Sequence, residues 1–334
     1  LGVLSNYHLS RFETQEQLYE QARTRAYRSF ALIQTVTSDS DRLKNLLQDC
    51  YFLIGQILTS QITTLTDSDG KLPDNIWQDR SWNFDLFEGL TESQIRSLLA
   101  AGTETIASAA LGPRITTEQK QAKSATYSLT TNKASLEETL ARLAANADFE
   151  VTFAPGVHKE LRQLPVTVHV PQAKWQQIVS IVTGSVGLRA AFPPNEPNKT
   201  VIKDPQQYLS LSQHVQDIAQ NAARAWQNFL FRFPDEPRIP NAHFAMAIVQ
   251  SHRNEIDQAL GEYKLLANRY SRDSLAPYAL MNAAMIKKNI RDYISARQDL
   301  ELLVQLYPDS PITDQASLLL AETTKKAKQY REAA

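Results

Sequence analysis

The stretch that decides the fold class is SLEETLARLAANADFEVTFAPGVHKELRQLPVTVHVPQAKWQQIVSIVTGSVGLRAAF, from Ser135 to Phe192. Its beginning predicts a helix, because apolar residues such as Leu136 and Leu140 share one face and Ser135 is a favourable N-cap. The segments "FEVTFA" and "LPVTVHV" alternate apolar and polar residues, which is typical of half-buried strands. A second helix over residues 172–186 and the strand "LRAAF" follow, so this part of the chain is predicted to be α+β.

Two flanking segments complete this unit. "TYSLTT" at residues 126–131 predicts a strand before the first helix, and "TVIKD" after the loop "PPNEPN" predicts a strand that forms a hairpin with "LRAAF". The predicted order is β-α-β-β-α-β-β, with two helices on one face of a small sheet. This order over about residues 125–204 resembles the short N-terminal (STN) domain of secretins and TonB-dependent receptors. The pieces that carry the resemblance are Leu136–Leu143, Phe149–Val157, Val166–Val170 and Ile178–Leu188.

The resemblance implies a domain that docks against like domains or sheet edges in the bacterial envelope. One departure is that the domain usually leads its chain, whereas here about 120 residues precede it. A KH-type RNA-binding module has a related order of elements, but it clamps RNA with a G-x-x-G loop between its helices. The corresponding segment here is "APGVHKELRQLP", which contains no such loop.

The C-terminal part of the chain repeats every 37 residues. Small and aromatic residues recur in fixed columns, and each row predicts two helices separated by a break. Alanine at these columns fits helices whose backbones approach closely. The columns are Ala222, Ala259, Ala296 and Ala333; Ala242, Ala279 and Ala316; Ala247, Ala284 and Ala321; Phe233, Tyr270 and Tyr307; and Ile256, Tyr293 and Tyr330.

This pattern over about residues 205–334 resembles the tetratricopeptide repeat (TPR), with a period about three residues longer than usual. The longer connection is similar to that of TPR proteins of the bacterial envelope. The resemblance implies a right-handed array of about three repeats with a concave protein-binding groove lined by the first helix of each pair. We call the candidate groove residues the groove set: Asn241, Phe244, Ile248, Tyr278, Met281, Met285 and Lys288. The alternative is that its Met and Phe residues are core between repeats.

The N-terminal third predicts helices over residues 14–38, 41–60 and 91–111, in a region 1–120 that is a candidate for degenerate TPR-like repeats. Cys50 lies among apolar residues, which favours a core position over a nucleophile. Between the helices, a cluster of aromatic residues predicts either a docking loop or a cap folded onto the helices. The cluster consists of Trp77, Trp82, Phe84 and Phe87.

Composition and motifs point away from several functions. The chain has 35 basic and 36 acidic residues, so its net charge of −1 gives no electrostatic case for nucleic acid. No apolar run is long enough to predict a transmembrane helix. With one cysteine and no P-loop, G-x-S-x-G or H-E-x-x-H motif, the sequence predicts no catalytic, cofactor or metal site.

The sequence therefore predicts a mainly α protein with an α+β domain: an α-solenoid of TPR-like hairpins at 205–334 and an STN-like domain at 125–204. Both parts resemble protein-binding architectures. The expected function is a non-enzymatic scaffold, periplasmic or associated with the bacterial outer membrane, whose partner is a secretin, a TonB-type receptor or an assembly complex. The alternative is an envelope accessory protein that binds a glycan or small ligand through the aromatic cluster. The absence of an initiator methionine at Leu1 leaves room for a removed targeting segment or lipid anchor.

Overall fold

The computed structural model describes residues 2–33, 41–66, 76–77, 91–94, 96, 112–119, 125–207 and 210–333. Among these residues the chain forms two compact units. Unit 1 consists of Leu1–Gln61 and Asn83–Asn221, and unit 2 consists of Ile62–Trp82 and Ala222–Ala334.

The chain is mainly helical with a small β region. The helices are α1 Val3–Gln15, α2 Tyr19–Ile33, α3 Asp41–Thr66, α4 Leu136–Ala147, α5 Lys159–Arg162, α6 Trp175–Ser185, α7 Leu211–Arg232, α8 Ile239–His252, α9 Ile256–Arg269, α10 Ala276–Asn289, α11 Tyr293–Leu306 and α12 Thr313–Ala333. The strands are β1 Arg114–Gln119, β2 Thr126–Ser135, β3 Glu150–Phe153, β4 Pro165–Ala173, β5 Arg189–Ala191 and β6 Lys199–Lys203. The boundary between the units falls within α3 and within α7.

The α+β part of unit 1 contains the predicted strands and helices in the predicted order. Ser135 caps α4, and its side chain accepts a hydrogen bond from the backbone N–H of Glu138. The apolar face of α4 is buried, with Leu136, Leu140 and Leu143 all inaccessible to solvent. The β5–β6 hairpin is antiparallel and pairs Ala190 with Ile202.

The prediction of a single sheet is wrong, because the strands form two three-stranded sheets with the orders β1-β2-β4 and β3-β6-β5. β2 pairs antiparallel with both β1 and β4, so both of its edges are occupied and β3 pairs instead in parallel with β6. Residue alternation shows which face of a strand is buried, but it does not show which strand lies beside it. The edge strand β1 and the short helix α5 were not predicted from the sequence.

The N-terminal helices pack against the α+β part within unit 1. The helix predicted over 14–38 corresponds to α2 over Tyr19–Ile33, whereas α1 before it was not predicted. The chain turns between α1 and α2 with Gln17 in the left-handed region at φ 59°. Gly184 lets α2 and α6 approach closely, since a Cβ at this position would lie 2.3 Å from the ring of Tyr27. Residues 34–40 and most of 91–111 lie outside the described residues.

Arginine side chains of α2 bind the C-terminal end of α6. Arg28 donates to the carbonyl of Ser185 at 2.7 Å, and Arg23 donates to the carbonyls of Gly187 and Leu188 at 3.2 and 3.0 Å. The last carbonyls of a helix have no partner within the helix and carry its negative dipole end, so cations here are favourable.

Arg23 also belongs to a charged network that links three elements of unit 1, α2, α3 and β5. The Glu20 carboxylate of α2 forms ion pairs with Arg23 and with Arg189 of β5, and it accepts a hydrogen bond from Gln61 of α3 at 2.8 Å. The Arg189 side chain is only 1% exposed. Burial raises the pKa of Glu20, but the guanidinium groups of Arg23 and Arg189 outweigh it and hold the pKa at about 2.

Unit 2 consists of helical hairpins with the predicted 37-residue spacing. α8 pairs with α9 and α10 pairs with α11, and equivalent residues Pro240 and Pro277 lie in the first turn of α8 and α10. Asn254 lies in the turn between α8 and α9 with a φ of 61°, and Arg291, 37 residues later, lies in the turn between α10 and α11 with a φ of 66°. The structure describes the side chains of nine of the column alanines, and eight of these are buried; the exposed one is Ala321 of α12.

Replacing Glu20 with alanine is expected to destabilise unit 1 by about 3 kcal/mol, because Arg189 would keep a buried guanidinium without its carboxylate. This is the low end of the range for a broken buried pair, since the Glu20 side chain is itself 32% exposed. Hydrogen exchange of amides in α2 and α6 measures the loss of opening free energy. The control is Glu196→Ala, whose partner Lys199 lies at the surface and whose loss should leave exchange nearly unchanged. Equal effects of the two substitutions would contradict the prediction.

The Glu20 network also predicts a pH dependence. Because the folded-state pKa of about 2 lies below the ordinary value of 4.5, Glu20 stabilises the fold fully above about pH 4.5. That stabilisation is lost as the pH falls from about 4.5 towards 2. The difference in opening free energy between the natural protein and Glu20→Gln should therefore shrink over this interval. A difference that stays constant from pH 7 to pH 2 would show that the carboxylate does not act through its charge.

Candidate protein-binding groove

The groove set lies on two equivalent helices of unit 2. Asn241, Phe244 and Ile248 are on α8, and the other four members are on α10. Spacings of three or four residues place the members of each helix along one face. The set is therefore a row of side chains that runs across two successive hairpins.

Burial divides the groove set into core and surface residues. Phe244 and Met281 are 0% and 6% exposed, so their side chains pack in the core between helices. Tyr278, Met285 and Lys288 are half-buried and remain in part accessible to solvent. The sequence left both roles open for these Met and Phe residues, and the structure places Phe244 and Met281 in the interior.

A short segment of the same unit lies on the groove set. Ile76 is 1% exposed and belongs to the same apolar cluster as Phe244 and Ile248. The side-chain amide of Asn241 donates a hydrogen bond to the backbone carbonyl of Ile76. The set therefore holds this segment in two ways, by burying an aliphatic side chain and by binding a backbone carbonyl.

Trp77 extends this contact towards α7. Its ring is parallel to that of Trp226, with ring centroids 6.2 Å apart and an interplanar angle of 4°. Trp77 and Tyr278 are both partly buried against the cluster that contains Ile76. Trp82, Phe84 and Phe87, the other members of the predicted aromatic cluster, lie outside the described residues.

The sequence treats the aromatic cluster and the groove set as two separate candidate sites, and the structure brings them together at Ile76, Trp77 and Asn241. The hydrogen bond between Asn241 and Ile76 joins residues 165 positions apart in the chain. No local pattern in the sequence connects positions so distant. Ile76 and Trp226, which complete the site, were not singled out from the sequence.

The Asn241 side chain has one further hydrogen-bonding atom. Its amide oxygen is buried and has no hydrogen-bond partner among the residues that the structure describes. A primary amide has two donor hydrogens and an acceptor oxygen, so it is able to bind a backbone carbonyl and a backbone N–H together. Asn241 uses the first of these two capacities within the chain.

Opposite charges lie at the other end of the groove set. The Lys288 ammonium is 2.9 Å from the carboxylate of Glu322 on α12, and Lys326 binds the second oxygen of that carboxylate at 2.9 Å. Hydrogen bonds from these two lysines hold the pKa of Glu322 at about 2. Glu322 is therefore ionised at neutral pH, and this end of the set is polar.

The Cys50 thiol and the potential metal-binding side chains of the described residues do not form a reactive site. Burial raises the pKa of the Cys50 thiol to about 12, so Cys50 is a protonated core residue, as the sequence predicts. Within the described ranges no cluster of His, Cys, Asp and Glu side chains is arranged to hold a metal ion. The described helices also include none that is long and apolar enough to cross a membrane.

Comparison with known proteins does not assign the chain to a family. No protein-family model matches its sequence, and no curated protein matches it. The features that bear on its function are the helical hairpins, the small α+β part and the segment held on the groove set.

Replacing Ile76 with alanine is expected to lower the stability of unit 2 by about 2–4 kcal/mol, because a buried side chain would leave a cavity beside Phe244. Hydrogen exchange of α8 amides measures the change. The control is Leu306→Ala, which removes a leucine that is 53% exposed and should change stability by less than about 0.5 kcal/mol. If both substitutions leave the exchange of α8 unchanged, Ile76 does not stabilise this unit.

Proposed function

We propose that this chain is a non-enzymatic adaptor of the bacterial cell envelope, located in the periplasm or at the outer membrane. In this proposal unit 2 is a TPR-like array that binds protein segments along the groove set. The α+β part of unit 1 is an STN-like domain that supplies a second docking surface. The partners are a secretin, a TonB-type receptor or an assembly complex of the envelope.

One observation carries the proposal: the groove set already holds a short piece of polypeptide. Ile76 is buried against Phe244 and Ile248, and its backbone carbonyl accepts a hydrogen bond from Asn241. A protein that binds peptides needs an apolar contact for a side chain and a polar contact for the backbone. The groove set provides both kinds of contact to Ile76.

The accessible members of the set favour a protein ligand over a small polar one. Tyr278 and Met285 offer apolar surface, and methionine adapts to ligand side chains of different shape. Lys288 and Glu322 add charges of both signs at one end.

The α+β part supports the envelope assignment by its order of elements. The elements β2-α4-β3-β4-α6-β5-β6 follow the order on which the proposed resemblance to the STN domain rests, although β1 and α5 are added and the strands are divided between two sheets. In the sheet β1-β2-β4, β1 is an edge strand and its residues Arg114, Thr116 and Thr117 are exposed. An edge strand has backbone groups that pair readily with a strand of another protein.

Site-specific cross-linking in native cells tests the proposal. The photoreactive residue p-benzoylphenylalanine replaces Tyr278, a half-buried aromatic member of the groove set, so that it reports contacts in the groove. The control places it at Phe231, which is 87% exposed on α7 and does not belong to the set. We expect an adduct with an envelope secretin, receptor or assembly protein from position 278, recovered in the envelope fraction, and none from position 231.

Three outcomes would overturn the proposal. Recovery of the chain in the cytoplasm contradicts the location, and equal adducts from both positions contradict the groove. The third is a change in tryptophan fluorescence on adding envelope polysaccharide without any protein adduct, which would favour glycan binding through the aromatic cluster instead.

A further inference from the structure

A surface cavity of about 370 Å³ lies in unit 1 beside the C-terminal end of α6. Residues of α1, α2, β2, β4 and the end of α6 line it, so all of its described walls belong to one unit. Its volume is within the range of sites that bind small molecules. Three basic residues line it, Arg25, Arg28 and Lys133, and we call it the cationic cavity.

The two arginines are anchored in a way that leaves donors available. The Nε of Arg25 donates to the Glu13 carboxylate at 3.5 Å, and the Nε of Arg28 donates to the carbonyl of Ser185 at 2.7 Å. A guanidinium has five N–H donors, and the four on the terminal nitrogens of each arginine form no hydrogen bond with the described residues. Each arginine is therefore held through Nε and retains a fork of donors that matches two oxygens of an anion.

The arginines also repel each other. They are three residues apart on α2, so they lie on the same side of the helix. Partial burial lowers the pKa of Arg28, and the like charge of Arg25 lowers it further, while Glu13 opposes the shift. An anion bound between the two guanidinium groups would relieve this repulsion.

Lys133 supplies the third cation from a strained part of β2. Its φ of 56° is in the left-handed region, and it lies in a bulge, because between Thr131 and Ala134 the strand has one residue more than β4. The backbone N–H of Lys133 donates to the Thr167 hydroxyl at 3.2 Å, which holds this conformation. Bulges redirect side chains and are frequent beside functional sites. The Lys133 ammonium forms no ion pair within the described ranges.

Acidic residues are unevenly distributed around the arginines. A neighbouring cavity of about 300 Å³ shares Arg25 and Arg28 and is lined by Glu13, Glu20 and Asp204. The described lining of the cationic cavity contains no carboxylate. Of the acids, Glu13 is the one that pairs with a lining arginine, so three cations and this carboxylate leave an excess of two positive charges.

We propose that the cationic cavity binds a small molecule that carries a phosphate monoester and a short apolar body. A phosphate monoester has a charge close to −2 at neutral pH, which matches the excess of two positive charges. Its three terminal oxygens accept hydrogen bonds from the two arginine forks and from the Lys133 ammonium. The apolar body lies against Leu32, Pro165 and Val186, which line the same cavity and are each in part accessible to solvent.

Calorimetric titration of the full chain with phenyl phosphate tests the site. We expect one saturable site with a Kd below about 1 mM, and weaker binding at higher NaCl concentration because salt screens the cations. Benzoate has the same ring but a single negative charge, so it should bind at least about tenfold more weakly than phenyl phosphate.

Lys133→Asn should weaken the binding of phenyl phosphate by about tenfold, since a charged hydrogen bond is lost. Asparagine tolerates a positive φ better than lysine, so the bulge should be retained, which thermal unfolding verifies. The matched control is Lys159→Asn, which makes the same change of charge at an exposed position of α5 outside the cavity and should leave binding unchanged.

Three results would overturn the proposal. They are an absence of saturable binding at about 10 mM phenyl phosphate, equal affinities for benzoate and phenyl phosphate, and equal effects of the substitutions at Lys133 and Lys159. The cationic cavity belongs to unit 1 and the groove set to unit 2. Binding of phenyl phosphate and cross-linking from Tyr278 therefore succeed or fail separately.

Discussion

The close approach of helices at alanine positions is the constraint on which unit 2 depends. Helices whose axes lie about 8–10 Å apart leave room only for small side chains where their backbones cross. Ala242, Ala247, Ala279 and Ala284 are all inaccessible to solvent, and they recur at the same two places in α8 and α10. A larger residue at any of them would displace the neighbouring helix and with it the row of side chains that forms the groove set.

Unit 1 depends on a different interaction, a set of charges that are shielded from water. Removing ionised groups from water is unfavourable unless close opposite charges and hydrogen bonds replace the lost hydration. Glu20 meets this requirement by pairing with Arg23 and Arg189 while Gln61 donates a further hydrogen bond. Glu20 and Arg23 lie on α2, Gln61 lies on α3 and Arg189 lies on β5. The network therefore forms completely only when these three elements are all in place. It therefore selects one arrangement of these elements.

Most of the secondary structure could be predicted because it follows from local patterns of apolar and polar residues. The leucine face of α4, the alternation in β4 and the 37-residue columns of unit 2 each arise within a few turns or strands of the chain. β1 gave no such pattern, since "RITTEQ" has one apolar residue and lies at an edge. The pairing of β3 with β6 and the ion pair between Glu20 and Arg189, 169 residues apart, depend on tertiary structure that local periodicity does not encode.

The sequence predicts the helices that form the candidate site, but it does not predict the segment at Ile76 that lies on them. The repeat identified the face of α8 and α10 that carries the groove set, because equivalent positions of equivalent helices share a face. It did not indicate that Ile76 lies on that face, since the contact joins two distant segments and uses a backbone carbonyl that every residue possesses. It also did not show that Phe244 and Met281 would be buried, because burial depends on the next helix in space.

The turns of the hairpins explain why α12 differs from α8 and α10. Asn254 and Arg291 have positive φ values, a conformation that costs a residue with a side chain about 1–2 kcal/mol. In the first two repeats this cost is offset because the turn brings α9 and α11 onto their partners and buries residues such as Leu266 and Leu303. The equivalent residue Lys328 remains helical, and α12 continues to Ala333. Tyr330 occupies the column in which Ile256 and Tyr293 begin a second helix, yet it lies within α12. Lys328 is not among the residues with positive φ, so α12 carries none of the backbone strain that the turns at Asn254 and Arg291 carry.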